Sequence, residues 1–488
     1  MTLKEIKNLG RQLTSFLAMF AGCFASVNGR RLLYFYVCGQ MASNIQRKNC
    51  EAIAIAFSQP VRTLQRFLES IKWDEEQLRD QCQKVIARDH AHPQAIGTVD
   101  ESGTAKSGSH TAAVGWQYNG HRGKVENCTV GVHLGYATPG FQVLLDSRLY
   151  LPEDWADDLE RRKQNYIPDD IQFQTKPQIA LELIEGALGN GIQVAAWTFD
   201  ELYGRDSKFL DGLDELDQAF VAEIPSDTRL WTSKPKVIRK ASRKRCGRPK
   251  KTPRVRRQPV ACEVRNLARY SPTFQRQSWQ KYRVKDTEKG PEVWEVKWAL
   301  VWRKAGSQLP STRQTLIVAR NVRTGEVKYF LSNQVVGRGG VTLRWLLRVA
   351  FGRWTIEAIF REAKEELGMD HFEVRGWRCI HRHYYVTGLS HLFCSRLRQS
   401  LDPDGSRQLT VEQVRRSVNA YLAYHNLPPA IRDETFEKEL SDQRYYQTRN
   451  AQARKSHTKT RVKEFLKLGI DVNRIKSCLN EPQNPETP

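Results

Sequence analysis

Three early segments carry apolar residues at three- and four-residue spacing: 13–20, 30–41 and 61–71. This spacing places the apolar side chains on one face of an α-helix, so the chain is predicted to be helical up to His92 and Pro93. Pro60, in front of the third segment, suggests a short turn that opens a helix, as in a helix-turn-helix. A plain helical bundle explains the same pattern equally well.

Short β-prone runs replace this pattern after residue 94. Strands are predicted at 95–99, 126–137, 141–152, 194–199 and 219–225. Thr138, Pro139 and Gly140 form a turn between the second run and the third. Helices are predicted at 176–191, which ends in glycine, and at 208–217. Three strands followed by helix, strand, helix and strand predict a mixed sheet with flanking helices, an α/β architecture.

A basic segment and further strands interrupt this order between residues 226 and 340. Residues 234–257 contain 13 Lys and Arg and no acid, so we expect them to be disordered without a partner. Strands are predicted at 292–302, 313–321 and 327–332, with a turn at 322–325 between the last two.

A two-residue period in the first of these strands predicts one face made of Trp294, Val296, Trp298, Leu300 and Trp302. The opposite face would carry Glu295, Lys297 and Arg303. Most of these tryptophans are expected in the core. Helical spacing then returns at 342–350, 353–367, 384–399 and 411–427, and the tail from residue 480 is expected to be loose.

The charge balance indicates a polyanionic partner. Lys and Arg number 77 against 54 Asp and Glu, a formal net charge of +23. Nucleic acid fits this surplus better than anionic lipid does, while a ribosomal or merely basic protein is the alternative.

The ten cysteines contain no C-x-x-C pair, which argues against a zinc ribbon or a disulfide framework and fits a reduced, cytoplasmic protein. The N-terminus lacks the pattern of a signal peptide. Residues 16–27, the most apolar early stretch, reach about half of the ~20 residues that cross a bilayer, so we interpret them as a buried helix.

Two aspartates stand at the ends of predicted strands. Asp100 follows the run 95–99 and precedes a polar loop that contains Lys106, and Asp200 follows the run 194–199. One such aspartate is most simply a capping or turn residue. Two of them together with a helical glutamate favour a metal site, because Mg²⁺ prefers hard oxygen ligands from separate elements.

Glu357 lies on the helix predicted at 353–367. The apolar stripe of this helix consists of Ile356, Ile359, Phe360, Ala363 and Leu367. On a 3.6-residue period, Arg353 and Lys364 share a face with Glu357. A carboxylate beside two cations suits a site that also holds a phosphate.

These motifs resemble those of DDE transposases of bacterial insertion sequences, in the group with a Tyr-x2-Arg-x3-Glu-x6-Lys signature. Arg353, Glu357 and Lys364 match its last three positions, whereas the first falls on Ala350, with an aromatic only at Phe351. Residues 100–137, 147–158 and 366–383 resemble one subgroup closely, and the likeness spans roughly 30–400. Relatives often have a second Asp after the first one, where this chain has Glu101.

The resemblance implies a ribonuclease H-like catalytic core, a mixed sheet with flanking helices that a β-rich insertion interrupts, between helical N- and C-terminal regions. The regions expected are a helical DNA-binding domain (1–92), the first part of the core (93–225), the basic loop plus insertion (226–340), the core helix with Glu357 (341–400) and a C-terminal helical region and tail (401–488).

The resemblance also implies a function: metal-dependent cleavage at the ends of an insertion sequence and strand transfer into target DNA. Asp100, Asp200 and Glu357 would hold two Mg²⁺ ions, for which Mn²⁺ substitutes. The expected partners are double-stranded DNA, as terminal inverted repeats and target, and a second copy of the chain in a dimer. No membrane and no small-molecule cofactor is expected.

Further residues are candidates for DNA contact. Arg353, Arg361, Lys364 and Lys106 are expected to position phosphates. A basic block around Gly247 contains Arg245, Arg248, Lys250 and Lys251 and is similar to an AT-hook, which binds a narrow minor groove; a solvated loop that contacts only phosphates is the alternative. Trp298 is a candidate for stacking on a flipped base, as a tryptophan of the insertion does in related transposases.

Other interpretations stay open at this point. A ribonuclease H-like nuclease or resolvase without strand transfer would use the same metal site, and a domesticated, non-catalytic DNA-binding protein would not need the acids. Zinc binding by His371, His381 and His383 is disfavoured because suitable further ligands are missing.

Overall fold

The computed structural model describes residues 3–120, 122–238, 253–256, 259–424 and 429–479. The chain divides into two compact units. The first comprises Met1–Gln193 and Trp354–Ala451, and the second comprises Val194–Arg353 and Gln452–Pro488.

Helices and one group of strands make up the chain before residue 194. The helices are α1 (Leu3–Ala18), α2 (Val27–Met41), α3 (Cys50–Ala56), α4 (Val61–Glu69), α5 (Glu75–Asp89), α6 (Glu153–Ala156), α7 (Leu159–Gln164) and α8 (Lys176–Gly189). The strands are β1 (Ile96–Ala105), β2 (Gly115–Asn119), β3 (Lys124–Thr138) and β4 (Phe141–Leu149). Helix α4 begins after Pro60 and α8 precedes Gly191, which confirms both predictions.

The interpretation of residues 16–27 as a helix is wrong. Helix α1 ends at Ala18, a 3₁₀ turn occupies Ala21–Cys23, and Phe24 forms a β-bridge to Trp73. The apolar side chains are nevertheless buried, because Phe24 stacks on Trp73 with ring centroids 5.3 Å apart. Apolar content therefore predicted burial correctly here and conformation incorrectly.

The first unit contains an antiparallel sheet centred on β3. Strands β1, β2 and β4 each pair antiparallel with β3: β1 with residues 128–137, β2 with 124–128 and β4 with 131–138. The predicted strand at 95–99 is too short, since β1 continues through Asp100 to Ala105. Small side chains extend the pairing: Ser102 and Thr104 are buried opposite Gly131 and Thr129.

Residues 194–353 contain the strands of the second unit. They are β5 (Ala196–Phe199), β6 (Phe220–Glu223), β7 (Arg229–Trp231), β8 (Val237–Ile238), β9 (Arg254–Val255), β10 (Cys262–Glu263), β11 (Gln280–Thr287), β12 (Gly290–Arg303), β13 (Gln314–Asn321) and β14 (Val327–Ser332). The helices are α9 (Glu201–Gly204), α10 (Ser207–Glu215), α11 (Val264–Tyr270), α12 (Pro272–Gln275) and α13 (Leu343–Gly352).

The sheet of the second unit is mixed. Strand β5 runs parallel to β6, whereas β6, β14, β13 and β12 pair antiparallel in that order. The strands predicted as an insertion thus continue the sheet that starts with β5 and β6. An α/β fold with a mixed sheet and flanking helices is confirmed.

The alternation predicted for β12 is wrong in its second half. Trp294 and Val296 are buried as expected, but beyond Lys297 the pattern reverses. In this part of the strand the buried residues are Ala299, Val301 and Arg303. The residues predicted to be buried are only half-buried: Trp298, Leu300 and Trp302. Both faces of the strand are covered, because Trp294 contacts Phe351 of α13 and Val293 packs into a separate apolar cluster. A two-residue period requires one solvated face.

Arg303, predicted on the polar face of β12, is buried and forms ion pairs with two aspartates. Its guanidinium forms ion pairs with Asp211 at 2.5 Å and Asp214 at 3.2 Å, both on α10. Buried charges are tolerated when they are paired in this way.

The chain after residue 353 is helical. Its elements are α14 (Thr355–Arg361), a π-helical segment (Glu362–Glu366), α15 (Trp377–Leu401), α16 (Val411–Tyr424), α17 (Pro429–Lys467) and a short strand β15 (Lys476–Ser477). The single helix predicted at 353–367 is therefore too long and too regular. Its apolar stripe is confirmed, since Ile356, Ile359, Ala363 and Leu367 are buried.

Helix α15 lies at the centre of the first unit. It packs against β4, α2, α4, α5 and α16. Trp377 and Ile380 on α15 share a buried cluster with Ile356 and Ile359 of α14 and with Trp155. The strands and helix α14 are thus held by one apolar core.

Within the described ranges, no helix is both long and apolar enough to span a bilayer. The cysteines in those ranges are free thiols, and all except Cys262 are buried.

Candidate active site

Asp100 lies in the middle of β1 rather than at its end. It pairs with His133 of β3, and Thr98, two residues earlier, pairs with Gly135. Opposite residues of antiparallel strands project to the same side, as do alternate residues along a strand. Asp100, Thr98, His133 and Gly135 therefore face the same side of the sheet.

Helix α14 covers this side of the sheet. A Cβ atom built on Gly135 would lie 2.5 Å from Thr98 Oγ1, 2.7 Å from Ile356 Cδ1 and 2.9 Å from Ile359 Cδ1. Only glycine at this position lets the helix approach the strands so closely.

Glu357 is carried by this closely packed helix. It stands between the buried anchors Ile356 and Ile359 and is itself exposed. Phe360, one turn further on, contacts His133, the strand partner of Asp100, with ring centroids 5.2 Å apart. The first unit therefore presents Asp100 and Glu357 on the same side of one sheet.

Glu101 faces the other side. Its carboxylate pairs with Lys176 of α8 at 2.9 Å. The alternation of β1 thus separates Glu101 from Asp100, although the two are adjacent in sequence.

Asp200 belongs to the second unit and follows β5 directly, as predicted. Its Oδ1 accepts a hydrogen bond from the Leu202 amide at 3.0 Å and caps the short helix α9. Asp100 Oδ1 similarly accepts from the Glu101 amide at 2.8 Å. Both carboxylates are half-buried and fixed by main-chain donors, so their orientations are set by backbone.

Lys106 and Lys364, candidates for phosphate contact, are bound to main-chain oxygens. Lys106 Nζ donates to the Phe372 carbonyl at 2.5 Å, and Lys364 Nζ donates to the Gly103 carbonyl at 3.2 Å. Burial lowers the pKa of Lys106 to about 8 and also lowers the pKa of Lys364. A phosphate would have to replace these carbonyl contacts, so both assignments stay predictions.

The other candidates for DNA contact differ in exposure. Arg361, at the end of α14, is exposed, while Arg353 lies in the second unit with Nε 3.7 Å from Glu223 Oε2. Trp298 is half-buried on β12. Arg245, Arg248, Lys250 and Lys251 lie outside the described residues.

Sequence reasoning missed the π-helical segment that follows α14 and the hydrogen-bond network that fixes it. Glu362 accepts hydrogen bonds at 3.0 Å from Gln142 of β4 and from His391 Nε2 of α15. The Leu144 amide donates to His391 Nδ1, so the proton of the neutral ring is on Nε2. Although burial alone would raise it, the His391 hydrogen bond and the nearby Arg398 keep the pKa of Glu362 low.

The zinc alternative concerned His371, His381 and His383. His381 accepts from the Leu149 amide and bonds the Trp377 carbonyl, while His383 Nε2 bonds the Gly368 carbonyl at 3.0 Å. Burial lowers the pKa of both rings to about 4. These two imidazoles hold α15 in the core and have no nitrogen available for a metal.

The donor chemistry of the site suits a hard divalent ion. Among the described residues, no group of three or more His, Cys, Asp and Glu is arranged to hold a metal. The first unit contributes two carboxylates to one sheet face, and carboxylate oxygen is the ligand that Mg²⁺ and Mn²⁺ prefer. The residues therefore fit the predicted type of ion.

Comparison with known families identifies the class. A family model described as DDE superfamily endonuclease matches residues 19–291, more than half of the chain. The chain belongs to this family. The matched region includes Asp100 and Asp200 and ends before Glu357.

Two similar proteins extend the comparison. A probable transposase for insertion sequence element IS701 of Microchaete diplosiphon is 31% identical over 187 residues, which cover 38% of this chain and 46% of the relative. The chain thus spans less than half of that relative. The piggyBac transposase in a cryo-EM structure of its synaptic complex with hairpin DNA has a TM-score of 0.38 at 8% identity, over 85% of this chain and 76% of that one.

Proposed function

We propose that this protein is the DNA transposase of an insertion sequence. It cleaves DNA at the ends of its element and joins the freed 3′-hydroxyl groups to target DNA. One observation carries the proposal: in a member of the DDE endonuclease family, the helix with Glu357 packs on the sheet side that carries Asp100. The 31% identity to an IS701 transposase supports transposition over other DNA cleavage.

Asp100, Asp200 and Glu357 are the proposed ligands of two divalent ions, Mg²⁺ in the cell. When bound, such ions activate a water or 3′-hydroxyl and stabilise the leaving oxygen. The chain contributes fixed carboxylates, since main-chain amides hold Asp100 and Asp200 and packed isoleucines hold the turn with Glu357. Because these carboxylates are already held in place, little side-chain conformational entropy is lost when DNA binds.

We further propose a ribonuclease H-like core. The strand order supports it: three antiparallel strands, helix α8, and then β5 parallel to β6. A net charge of +23 supports binding to terminal repeats and target DNA. Action at two element ends favours a homodimer.

A strand-joining assay tests the function. The terminal repeats are first identified as short inverted repeats, bounded by a direct duplication, in the DNA around the coding region. A labelled duplex ending in that repeat is then incubated with the protein, a target plasmid and Mg²⁺. We expect label joined to the plasmid, and none when Mg²⁺ is chelated. Cleavage without joining would instead identify a nuclease, and binding without cleavage a non-catalytic DNA-binding protein.

A further inference from the structure

The last turns of helix α17, residues 452–467, belong to the second unit and pack against its strands. A Cβ atom built on Gly290, the first residue of β12, would lie 3.0 Å from Arg461 Cβ. Phe465 is fully buried and shares an apolar cluster with Val293 of β12. These contacts fix one face of the helix against the second unit, and therefore also fix which face is turned outward.

Four lysines at four-residue spacing lie on the outward face of these turns. They are Lys455, Lys459, Lys463 and Lys467, and all four are exposed. At 3.6 residues per turn each step of four residues rotates by about 40°, so the four side chains stay within about 120° of the helix circumference, centred roughly 140° from Phe465. We name these four residues the lysine stripe. It extends about 18 Å along the helix.

The charge of the lysine stripe is not neutralised by neighbouring acids. Residues 443–463 contain seven Lys and Arg and no Asp or Glu. Glu464, the one acid among residues 452–467, pairs with Arg323 at 2.9 Å. Within the ranges that the structure describes, none of the four lysines forms an ion pair. Like charges four residues apart repel each other on a helix, and an anionic partner would relieve this repulsion.

Duplex DNA fits this surface better than a membrane does. A helix that lies on a membrane inserts an apolar face between its basic residues. Here Val462 and Phe465 pack inward, and of the large apolar residues between 452 and 467 only Leu466 is exposed. DNA supplies a regular row of phosphates, one for about every 3.4 Å of each strand, along the whole length of the stripe.

The side chains of the outward face are suited to phosphates rather than to base edges. Lysine carries a point charge on a flexible stem and lacks the planar fork with which arginine binds guanine. Ser456 and Thr460 are exposed beside the stripe, and their short hydroxyl groups are also frequent phosphate ligands. Contacts of this kind hold a duplex without reading its sequence.

We propose that the lysine stripe binds the phosphate backbone of double-stranded DNA independently of the base sequence. The inference rests on the proposed function, which makes DNA the partner of this protein, and it assigns a sequence-neutral part of the DNA contact to the outward face of α17. Recognition of the terminal repeat is thereby left to other residues.

A binding titration without metal tests this inference separately from catalysis. The full-length protein, in chelator, is titrated into two labelled duplexes of equal length and composition, one with the terminal repeat and one with its bases scrambled. We compare wild type with the triple variant Lys455→Gln/Lys459→Gln/Lys463→Gln. Lys467 is left unchanged, because a cation in the last turn stabilises the helix end.

The triple glutamine variant should bind both duplexes more weakly by roughly the same factor, about 10-fold at about 0.1 M salt. The slope of log affinity against log salt should become shallower by about 3, since each lost phosphate contact removes about 0.9. The ratio of the two affinities, which measures preference for the repeat, should not change. Replacement of the same three lysines by arginine should preserve binding, because the charge is kept.

The matched control removes the same charge from three exposed lysines on separate elements. It replaces Lys163 of α7, Lys281 of β11 and Lys304, which follows β12, by glutamine. Its salt slope should stay close to that of wild type. Thermal unfolding of each variant shows that the fold is retained, as expected for Lys→Gln exchanges, which hardly alter helix propensity.

Three results would overturn the assignment of the lysine stripe. The first is wild-type affinity and salt slope in the triple glutamine variant. The second is a loss confined to the repeat duplex, which would mean that these residues read sequence. The third is an altered oligomeric state with unchanged DNA affinity, which would make the stripe a contact between copies. Wild-type protein that binds neither duplex would overturn the proposed function as well.

Discussion

Asp100→Asn and Glu357→Gln are each expected to lower the rate of DNA cleavage by about 1,000-fold or more, while binding of the same DNA stays nearly unchanged. Each amide keeps the size of the side chain and removes the negative charge that a divalent ion requires. The loss corresponds to several kcal/mol of transition-state stabilisation. Asp200→Asn is expected to behave in the same way, because Asp200 is the third proposed ligand. Single-turnover cleavage and a gel-shift titration measure the two quantities.

Glu101→Gln is the matched control for these variants. Glu101 is adjacent to Asp100 but pairs with Lys176 on the opposite side of the sheet. Its substitution should cost at most a few-fold in cleavage, since one partly buried ion pair is lost. Normal cleavage by Asp100→Asn or Glu357→Gln would show that the residue is misassigned.

Gly135→Val is expected to impair cleavage by displacing helix α14 from the sheet, although it changes none of the proposed metal ligands. Its Cβ alone would lie within 3.0 Å of Thr98, Ile356 and Ile359, all fully buried. Overpacking of this kind typically costs about 1–3 kcal/mol of stability. A shift of about 1 Å in α14 can cost roughly 100-fold in rate. Gly135→Ala should show a smaller effect in the same direction, measured by thermal unfolding and single-turnover cleavage.

Gly186→Ala serves as the comparison for this substitution. Gly186 lies within α8, and no described atom comes within 4 Å of a Cβ built there. Alanine should therefore stabilise the helix by up to about 1 kcal/mol and leave cleavage unchanged. Wild-type stability and cleavage in Gly135→Val would contradict the close packing of α14 on the sheet.

Much of the fold follows from local patterns, and the failures have identifiable causes. The β3–β4 turn at Thr138–Gly140, helix α8 and the strand before Asp200 carry strong local signals, and the structure confirms them. Strand β2 was missed because it is a short edge strand whose alternate residues Trp116 and Tyr118 are exposed. The reversal in β12 was missed because tertiary packing on both of its faces overrides the two-residue period.

The sequence indicates the candidate carboxylates, which stay a prediction, but it does not indicate their surroundings. Strand alternation was sufficient to separate Asp100 from Glu101, once β1 was known to continue past them. The main-chain contacts of Lys106 and Lys364, in contrast, depend on the loop around Phe372 and on the π-helical turn. Neither feature has a sequence signal, since each arises from packing between distant segments.

The central claim is that Asp100 and Glu357 hold the same divalent ion, and iron-directed chain cleavage tests it directly. Fe²⁺ replaces Mg²⁺, and ascorbate with peroxide generates radicals that cut the polypeptide next to the bound ion. Peptide mapping is expected to find cuts around both residue 100 and residue 357, and Glu357→Gln is expected to suppress both. Cuts around only one of the two, or a pattern unaffected by the substitution, would contradict the claim.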